Sequence, residues 1–248
     1  MARVLVAGGA GGVGEGIVRH LLRAGHFVVV PSRSQAKLGL IRERLALDVP
    51  LGDGTIERLT TLVARVGEPD GAEALCAQLE RAGGVDVAIA SIGGWWEGRL
   101  LEMDAAQWDA VMDEMLRAHF IFARTFVPML QRRGSGRYIG IGGGAAYFPI
   151  PFAAPVSIAG AAQLMLTRAL RAEVTDPAID ILELVIDGPV RTRNSEGATP
   201  GWIELDEIGP IVVELVETGV THDLRAETEG SIVTMRSLAT RELPGHHG

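Results

Sequence analysis

Three glycines near the amino terminus have the spacing of a phosphate-binding turn. Gly8, Gly12 and Gly14 lie between a short apolar run, "RVLVA", and a helical segment that starts near Val13. Glycines let the chain turn tightly and approach a pyrophosphate, whose charge meets the N–H groups and the dipole at a helix N-terminus. Because strand, turn and helix occur in the required order, the segment predicts dinucleotide binding. A glycine-rich turn without a ligand is the alternative.

The end of the second predicted strand indicates which dinucleotide would bind. The residue that holds the adenosine ribose is expected about twenty positions after the turn, where the sequence has Ser32 and Arg33 and no acid. A carboxylate would accept hydrogen bonds from the ribose 2′-hydroxyl, whereas an arginine pairs with a 2′-phosphate. The sequence therefore favours NADP(H) over NAD(H). The alternatives are that Arg33 opens a solvated helix face, and that no cofactor is bound.

The elements that must position these residues alternate between short Val- and Ile-rich runs and longer segments of helical period. This alternation predicts a doubly wound α/β fold, with about seven parallel strands and helices on both faces. No repeat or flexible linker interrupts the chain, so residues 1–248 are expected to form a single domain. Segment 47–55 predicts an exposed turn, and the polar segment 193–205 a mobile substrate loop over a pocket. The predicted strands after the first two are 59–64, 85–90, 137–142, 179–186 and 230–236, and the later helices are 70–82, 104–133, 156–175 and 205–217.

Composition excludes several classes of function. The chain has 23 Lys and Arg against 31 Asp and Glu, a net charge of −8, and no basic stripe, which opposes binding to nucleic acid. Residues 138–167 carry no charge, but glycines and prolines would break a membrane-spanning helix there. Cys76 has no cysteine to pair with, which favours the cytoplasm. No metal site is predicted.

Over nearly its whole length, the chain resembles the classical short-chain dehydrogenase/reductase family, which implies a Rossmann fold. The family's Thr-Gly-x-x-x-Gly-x-Gly is matched from Ala7 to Gly14, and its Trp-Asp helix by "WDAVMDEMLRAHF" at 108–120. Arg65 stands where the family has an acid that meets the adenine, so it could neutralise a phosphate or point to solvent. The resemblance implies further cofactor contacts from Val13, Ala90, Gly93, Gly188 and Thr192.

All four positions of the family's catalytic tetrad are changed. Met115 stands at the Asn, Gly143 at the Ser, Val156 at the Tyr and Gly160 at the Lys. In the family the Tyr exchanges a proton with the substrate oxygen, the Lys lowers its pKa, the Ser fixes the carbonyl and the Asn orders a water relay. Loss of general acid and base help alone costs roughly 10²–10⁴ in rate. We therefore expect an NADP(H)-binding protein with atypical or absent oxidoreductase activity.

Three side chains are candidates for a displaced acid or base. Tyr147 follows the lost Ser. Without a neighbouring Lys it is a poor proton donor, and it could instead be part of the pocket wall. His119 lies one turn after Met115 on the same helix face, either as a proton donor or as a buried histidine. Asp187 could act as a base, orient a substrate amine, or simply form a turn before Gly188. A true NADPH-dependent reductase of an apolar or aromatic carbonyl or imine is thus the first alternative.

Aromatic residues near the expected site suggest the ligand. Trp95 and Trp96 follow Gly93 at the carboxyl edge of the sheet, where they could form a flat apolar wall or pack under a loop. With them, the predicted pocket comprises Gly143, Tyr147, Phe148, Phe152 and Val156. The expected partner is an apolar or aromatic small molecule. By resemblance, helices 104–133 and 156–175 form a homodimer or homotetramer interface, and a non-catalytic oligomer partner of an active relative is the second alternative.

Overall fold

A computed structural model describes residues 1–48, 55–193, 195 and 200–237. Eight strands form one sheet in the order β3-β2-β1-β4-β5-β6-β10-β9, and all pairs are parallel except β9 with β10. The strands are β1 (Arg3–Ala7), β2 (Phe27–Ser32), β3 (Leu59–Val63), β4 (Val87–Ala90), β5 (Gly136–Gly143), β6 (Ile179–Ile186), β7 (Val190–Arg191), β8 (Ile203–Glu204), β9 (Ala226–Glu229) and β10 (Ile232–Met235); β7 and β8 form a separate pair. The helices are α1 (Gly12–Arg23), α2 (Gln35–Asp48), α3 (Pro69–Arg81), α4 (Ala105–Met112), α5 (Ala118–Arg133), α6 (Ala154–Glu173) and α7 (Leu205–Thr218).

Alternation along the buried strands builds a core on each face of the sheet. Val4 and Val6 of β1 face α1, α2 and α7, whereas Leu5 and Ala7 face α3, α5 and α6. Successive side chains of a strand point to opposite faces, so a strand covered on both sides is apolar throughout. The predicted doubly wound Rossmann-type fold is confirmed.

The structure corrects two details of the predicted elements. The sheet has an eighth, antiparallel strand, β9, whose short polar sequence "AETE" carries no apolar pattern. The predicted helix 104–133 is divided by a π-helical turn at Asp113–Arg117, where the Ala118 N–H donates to the Asp113 carbonyl five residues back. Such turns are rare and concentrate at functional sites. Here the turn contains Met115.

The strand order creates one crevice at the carboxyl edge of the sheet. The chain winds from β1 to β2 and β3 on one side, and then returns to β4 and β5 on the other. Ligands of open α/β sheets bind at this switch point. Positions 49–54, 194 and 196–199 lie outside the described residues, so the turn predicted at 47–55 and most of the predicted substrate loop are not tested. Residues 203–204 form β8, and the loop therefore ends earlier than predicted.

Candidate functional site

The first turn of the fold is packed as a phosphate-binding turn requires. Gly8 has φ +80°, and a Cβ there would overlap the carbonyl oxygen of Ser91. A Cβ on Gly14 would overlap the Gly8 carbonyl. The residue preceding α1, Gly11, has no side chain to cap the helix, so it leaves the first N–H groups of α1 without a capping acceptor. These features fit a dinucleotide diphosphate.

The segment after β7 lies against this turn. A Cβ on Gly12 would come within 2.7 Å of Thr192 Cγ2. The Thr192 N–H donates to Ser195 Oγ at 2.8 Å, and Arg193 Nε donates to Glu15 Oε1 at 2.9 Å. Thr192 therefore lies beside the glycine-rich turn, and its contact with a cofactor stays a prediction.

Arg33 reaches across the crevice. Its guanidinium lies 3.6 Å from the Glu114 carboxylate, which belongs to the π-helical turn and packs on Gly94. Since Arg33 follows β2, and Gly94 lies just beyond β4, the ion pair spans the carboxyl end of β1 between them. Ser32 Oγ accepts the Ser34 N–H at 3.2 Å. Glu114 was not predicted from the sequence, because no local sequence pattern relates it to Arg33.

The other predicted cofactor residues differ in burial and in the neighbours they contact. Arg65 is exposed and pairs with Glu68 at 2.9 Å, which matches its solvent alternative. Ala90 is buried at the end of β4, and Gly93 has open space where a Cβ would stand. Gly188 faces Ile203 of β8. Val13, in the first turn of α1, packs on the core.

The four positions that the resemblance predicts for the tetrad present no acid or base to the crevice. Gly143 is exposed at the end of β5, and a Cβ there would meet only the Ile186 carbonyl oxygen, at 4.0 Å. Gly160 packs on Ala146, with 3.4 Å between its Cβ position and the Ala146 nitrogen. Val156 is buried, and Met115 is half-buried.

His119 lies in the core. Its side chain is fully buried, and Nε2 lies 2.7 Å from the Ile92 carbonyl oxygen, so this nitrogen carries the proton and donates. Among the described residues Nδ1 has no partner. Burial lowers the pKa of His119 to about 4. The ring is therefore neutral near pH 7 and out of reach of a substrate, which favours the buried alternative.

Tyr147 and Asp187 are both held by the last parallel strand and its extension. The Tyr147 hydroxyl shares a 3.0 Å hydrogen bond with Thr234 Oγ1. Arg236 Nε donates to Asp187 Oδ2 at 2.6 Å. The carboxylate also lies against Gly144, directly after Gly143. Asp187 is thus placed beside the residue that follows Gly143, and Tyr147 directly follows Ala146, on which Gly160 packs.

Two aromatic loops border the site. The Gly98 N–H donates to the Phe152 carbonyl at 2.7 Å and ties the loop after β4 to the loop after β5. The rings of Trp95, Phe148 and Phe152 are exposed, each by about 60%. Trp96 is half-buried against Gly98, as expected for packing under a loop. The structure therefore separates the two tryptophans, and only Trp95 offers an open ring.

A buried carboxyl group that sequence reasoning missed lies beneath the site. Glu183 of β6 is 1% exposed and accepts hydrogen bonds from Gln163 Nε2 at 2.7 Å and Thr167 Oγ1 at 2.6 Å. Its carboxylate fills the space left by Gly140 and Gly142. Burial raises the pKa of Glu183 to about 7. The available signal was an acid, Glu183, in the middle of the apolar run "IDILELVI", whose other acid, Asp180, stands near its start.

Comparison with known proteins places this geometry in a family. Residues 2–200 match the model of the short chain dehydrogenase family. The chain belongs to this family. Within the described residues, no helix of this short-chain dehydrogenase is long and apolar enough to span a membrane, and His, Cys, Asp and Glu side chains form no cluster of three suited to a metal ion.

Curated relatives and solved structures share this fold. The bovine dehydrogenase/reductase SDR family member 4 is 29% identical over 194 residues, which are 77% of this chain and 66% of the relative, just under two thirds of its length. The Bacillus subtilis oxidoreductase YvrD is 24% identical and covers 77% of this chain and 69% of its own. An alcohol dehydrogenase from Thermococcus sibiricus, complexed with 5-hydroxy-NADP, has a TM-score of 0.76 at 22% identity, over 95% and 96% of the two chains. The Pseudomonas aeruginosa RhlG/NADP complex has a TM-score of 0.78 at 22% identity, over 94% of each chain.

Proposed function

We propose that this short-chain dehydrogenase binds NADP(H) in the crevice and does not perform the family's ordinary carbonyl reduction. The proposal rests on one observation: the site keeps the turn that would bind the cofactor but has no proton donor at the predicted catalytic positions. The phosphate-binding turn is intact around Gly8 and Gly14, whereas Gly143, Val156 and Gly160 offer no proton donor. A bound nicotinamide would supply a hydride. The protein's own residues bind and orient, and none of the four tetrad positions moves a proton.

The preference for NADP(H) rests on Arg33. Its guanidinium is exposed and lies 3.6 Å from the Glu114 carboxylate, and a 2′-phosphate could replace Glu114 as its partner. Related structures carry NADP or its 5-hydroxy derivative, which supports the same cofactor here.

Calorimetric titration with NADPH and NADH tests this preference. Arg33→Gln should weaken NADPH binding by about tenfold or more, because a charge-assisted contact is lost, and should leave NADH unchanged. Arg132→Gln, which removes an arginine paired with Glu80 far from the crevice, is the control. An equal affinity of the wild-type protein for both nucleotides would refute the proposed preference.

Restoring the tetrad tests the missing chemistry. The wild-type protein should reduce generic ketones and diketones very slowly with NADPH. The combined variant Met115→Asn, Gly143→Ser, Val156→Tyr and Gly160→Lys should gain about 10²-fold or more, because general acid help returns. Rapid ketone reduction by the wild-type protein would contradict the proposal.

A displaced acid is the second candidate function, and the accessible Tyr147 hydroxyl favours it. Tyr147 is about one-third exposed, and among the described residues its hydroxyl bonds to Thr234 alone. If Tyr147 donates the proton to an apolar or aromatic carbonyl or imine, Tyr147→Phe should abolish turnover. An unchanged rate removes this candidate.

Exposed apolar side chains support assembly with further chains. Phe120 of α5 and Ile158 and Met165 of α6 are each between 42% and 58% exposed. We propose that these helices form a homodimer or homotetramer interface, or pair with an active relative. Light scattering should show an oligomer that Met165→Glu disrupts. Cys76, buried between helices, is compatible with the proposed cytoplasmic location.

A further inference from the structure

Two consecutive residues after β7 contact the first turn of α1. Thr192 lies against Gly12, the first residue of the helix, where a Cβ would come within 2.7 Å of Thr192 Cγ2. Arg193 Nε donates to Glu15 Oε1 at 2.9 Å, three residues further along the helix. This helical turn also contains Gly14 of the glycine-rich turn. The segment after β7 is thus attached at two points beside the proposed cofactor site.

Glu15 is buried although it carries a charge. The residue is 3% exposed, and each carboxylate oxygen has its own arginine: Arg193 donates to Oε1, and Arg44 of α2 donates to Oε2 at 3.2 Å. Arg19, one turn further along α1, lies 4.0 Å from Oε1. A buried carboxylate that loses its cations is strongly destabilising. Glu15 therefore favours the position of Arg193 in which this hydrogen bond is made.

The segment that carries Thr192 is separate from the main sheet. Strands β7 and β8 form a pair of two residues each, in which Val190 pairs with Ile203 and Arg191 with Glu204. Within the described part of the chain, no strand of the eight-stranded sheet pairs with β7. A two-stranded pair is marginally stable without further packing. Contacts with α1 therefore contribute to the position of Thr192.

We infer that Glu15 is a positioning residue for the cofactor diphosphate, because through Arg193 it keeps Thr192 against Gly12. In this arrangement Thr192 contacts the diphosphate, and Glu15 acts only through Arg193. The inference rests on the proposed function, since it requires a dinucleotide at the glycine-rich turn.

Two other roles of Glu15 would change nucleotide affinity in the opposite direction. A carboxylate near a diphosphate repels it, so removal of the charge would tighten binding if Glu15 acted only through its electric field. Removal would also tighten binding if Glu15 competed with the phosphates for Arg193. A positioning role predicts weaker binding, because loss of the Arg193 contact lets Thr192 move away from Gly12.

Calorimetric titration of the full chain with NADPH and NADH measures this direction. Glu15→Gln keeps the shape of the side chain and should weaken both nucleotides by the same factor, about three- to tenfold, because the charge-assisted part of the hydrogen bond from Arg193 is lost. The factors are equal since both nucleotides carry the diphosphate, whereas Arg33→Gln should affect NADPH alone. Unchanged or tighter binding of the nucleotides to Glu15→Gln would overturn the inference.

A double-mutant cycle connects the effect with Arg193. The Arg193 side chain is 43% exposed, so Arg193→Gln should fold and should weaken both nucleotides by a factor similar to that of Glu15→Gln. The double variant should bind no more weakly than the single variants, because all three lose the same contact. Additive losses would show that Glu15 does not act through Arg193.

Arg44→Gln is the matched control. Arg44 donates to the other oxygen of Glu15 and, within the described residues, makes no further hydrogen bond or ion pair. This variant should bind both nucleotides as tightly as the wild-type protein. A loss equal to that of Arg193→Gln would assign the effect to the surroundings of Glu15 in general, and the inference would fail.

Amide exchange separates the inference from the proposed function. The Thr192 N–H donates to Ser195 Oγ at 2.8 Å. Its exchange rate, measured by NMR without nucleotide, should rise in Glu15→Gln and Arg193→Gln and stay unchanged in Arg44→Gln. An unchanged rate in all three variants would also overturn the inference.

The two failures differ in their results. If the wild-type protein binds neither nucleotide while the exchange rates change as expected, the proposed function fails and the attachment of the segment by Glu15 stands. If both nucleotides bind equally well to the wild-type protein and to Glu15→Gln, the inference fails and the proposed function stands.

Discussion

Glu183→Gln should make the stability of the protein less sensitive to pH. The carboxyl group is enclosed by β5, β6 and α6, where Gln163 and Thr167 donate to it, and no cation among the described residues pairs with it. Tyr138 is also buried on β5, and its pKa is raised first by burial and then by the charge of Glu183. An ionised carboxylate in this position is stabilised by two neutral donors alone, which do not compensate fully for lost hydration.

The magnitude follows from the change in pKa on folding. Burial raises the pKa of Glu183 from 4.5 to about 7. The folded state therefore binds the proton more tightly than the unfolded state between these values. Through this group, the free energy of unfolding is highest below pH 4.5 and falls as the pH rises to 7. At about 1.4 kcal/mol per unit of pKa, the loss approaches about 3 kcal/mol. Glutamine does not titrate and avoids this loss.

Urea unfolding at pH 4.5 and pH 8 measures the effect. The measured quantity is the free energy of unfolding of Glu183→Gln minus that of the wild-type protein. This difference should be about 3 kcal/mol larger at pH 8 than at pH 4.5. Glu229→Gln, on the exposed strand β9, should follow the wild-type protein at both. If the Glu183→Gln difference is the same at both pH values, the buried carboxyl group does not titrate as described, and the reasoning fails.

Three further predictions concern the core and the crevice. In urea unfolding, the wild-type protein should lose stability as the pH falls from 6.5 towards 4, because the unfolded state takes up a proton that the buried His119 ring resists. His119→Gln should reduce this loss of stability, and an unchanged dependence of stability on pH would contradict the prediction. Gly8→Ala should destabilise the protein by about 1–3 kcal/mol more than Gly25→Ala in thermal unfolding, because both have positive φ but only Gly8 faces a carbonyl oxygen; equal losses would argue against the close approach. Glu114→Gln should raise NADPH affinity about threefold in calorimetry and leave NADH unchanged, because Arg33 loses a competing carboxylate; equal gains for both nucleotides would place the effect elsewhere.

Local patterns predicted the elements that build the crevice. The runs at β1 and β2 and the glycines between β1 and α1 are contiguous signals, so their structure follows from short-range periodicity and turn chemistry. Strand β9 was missed because its four residues carry no apolar alternation. The π-helical turn at Asp113–Arg117 was missed because helical period does not distinguish a bond to the fourth residue from one to the fifth.

By itself, the sequence determined the βαβ order and the glycine-rich turn between β1 and α1, since each is a property of residue type and spacing. It also predicts, through the family resemblance, that all four tetrad residues are replaced. Only the tertiary structure decided that His119 is enclosed, that Arg33 faces Glu114, and that Asp187 lies beside Gly144. The physical reason is that these contacts join distant parts of the chain. Strand order and helix packing set the burial and charge around each group, and these decide which side chains can bind, donate or titrate.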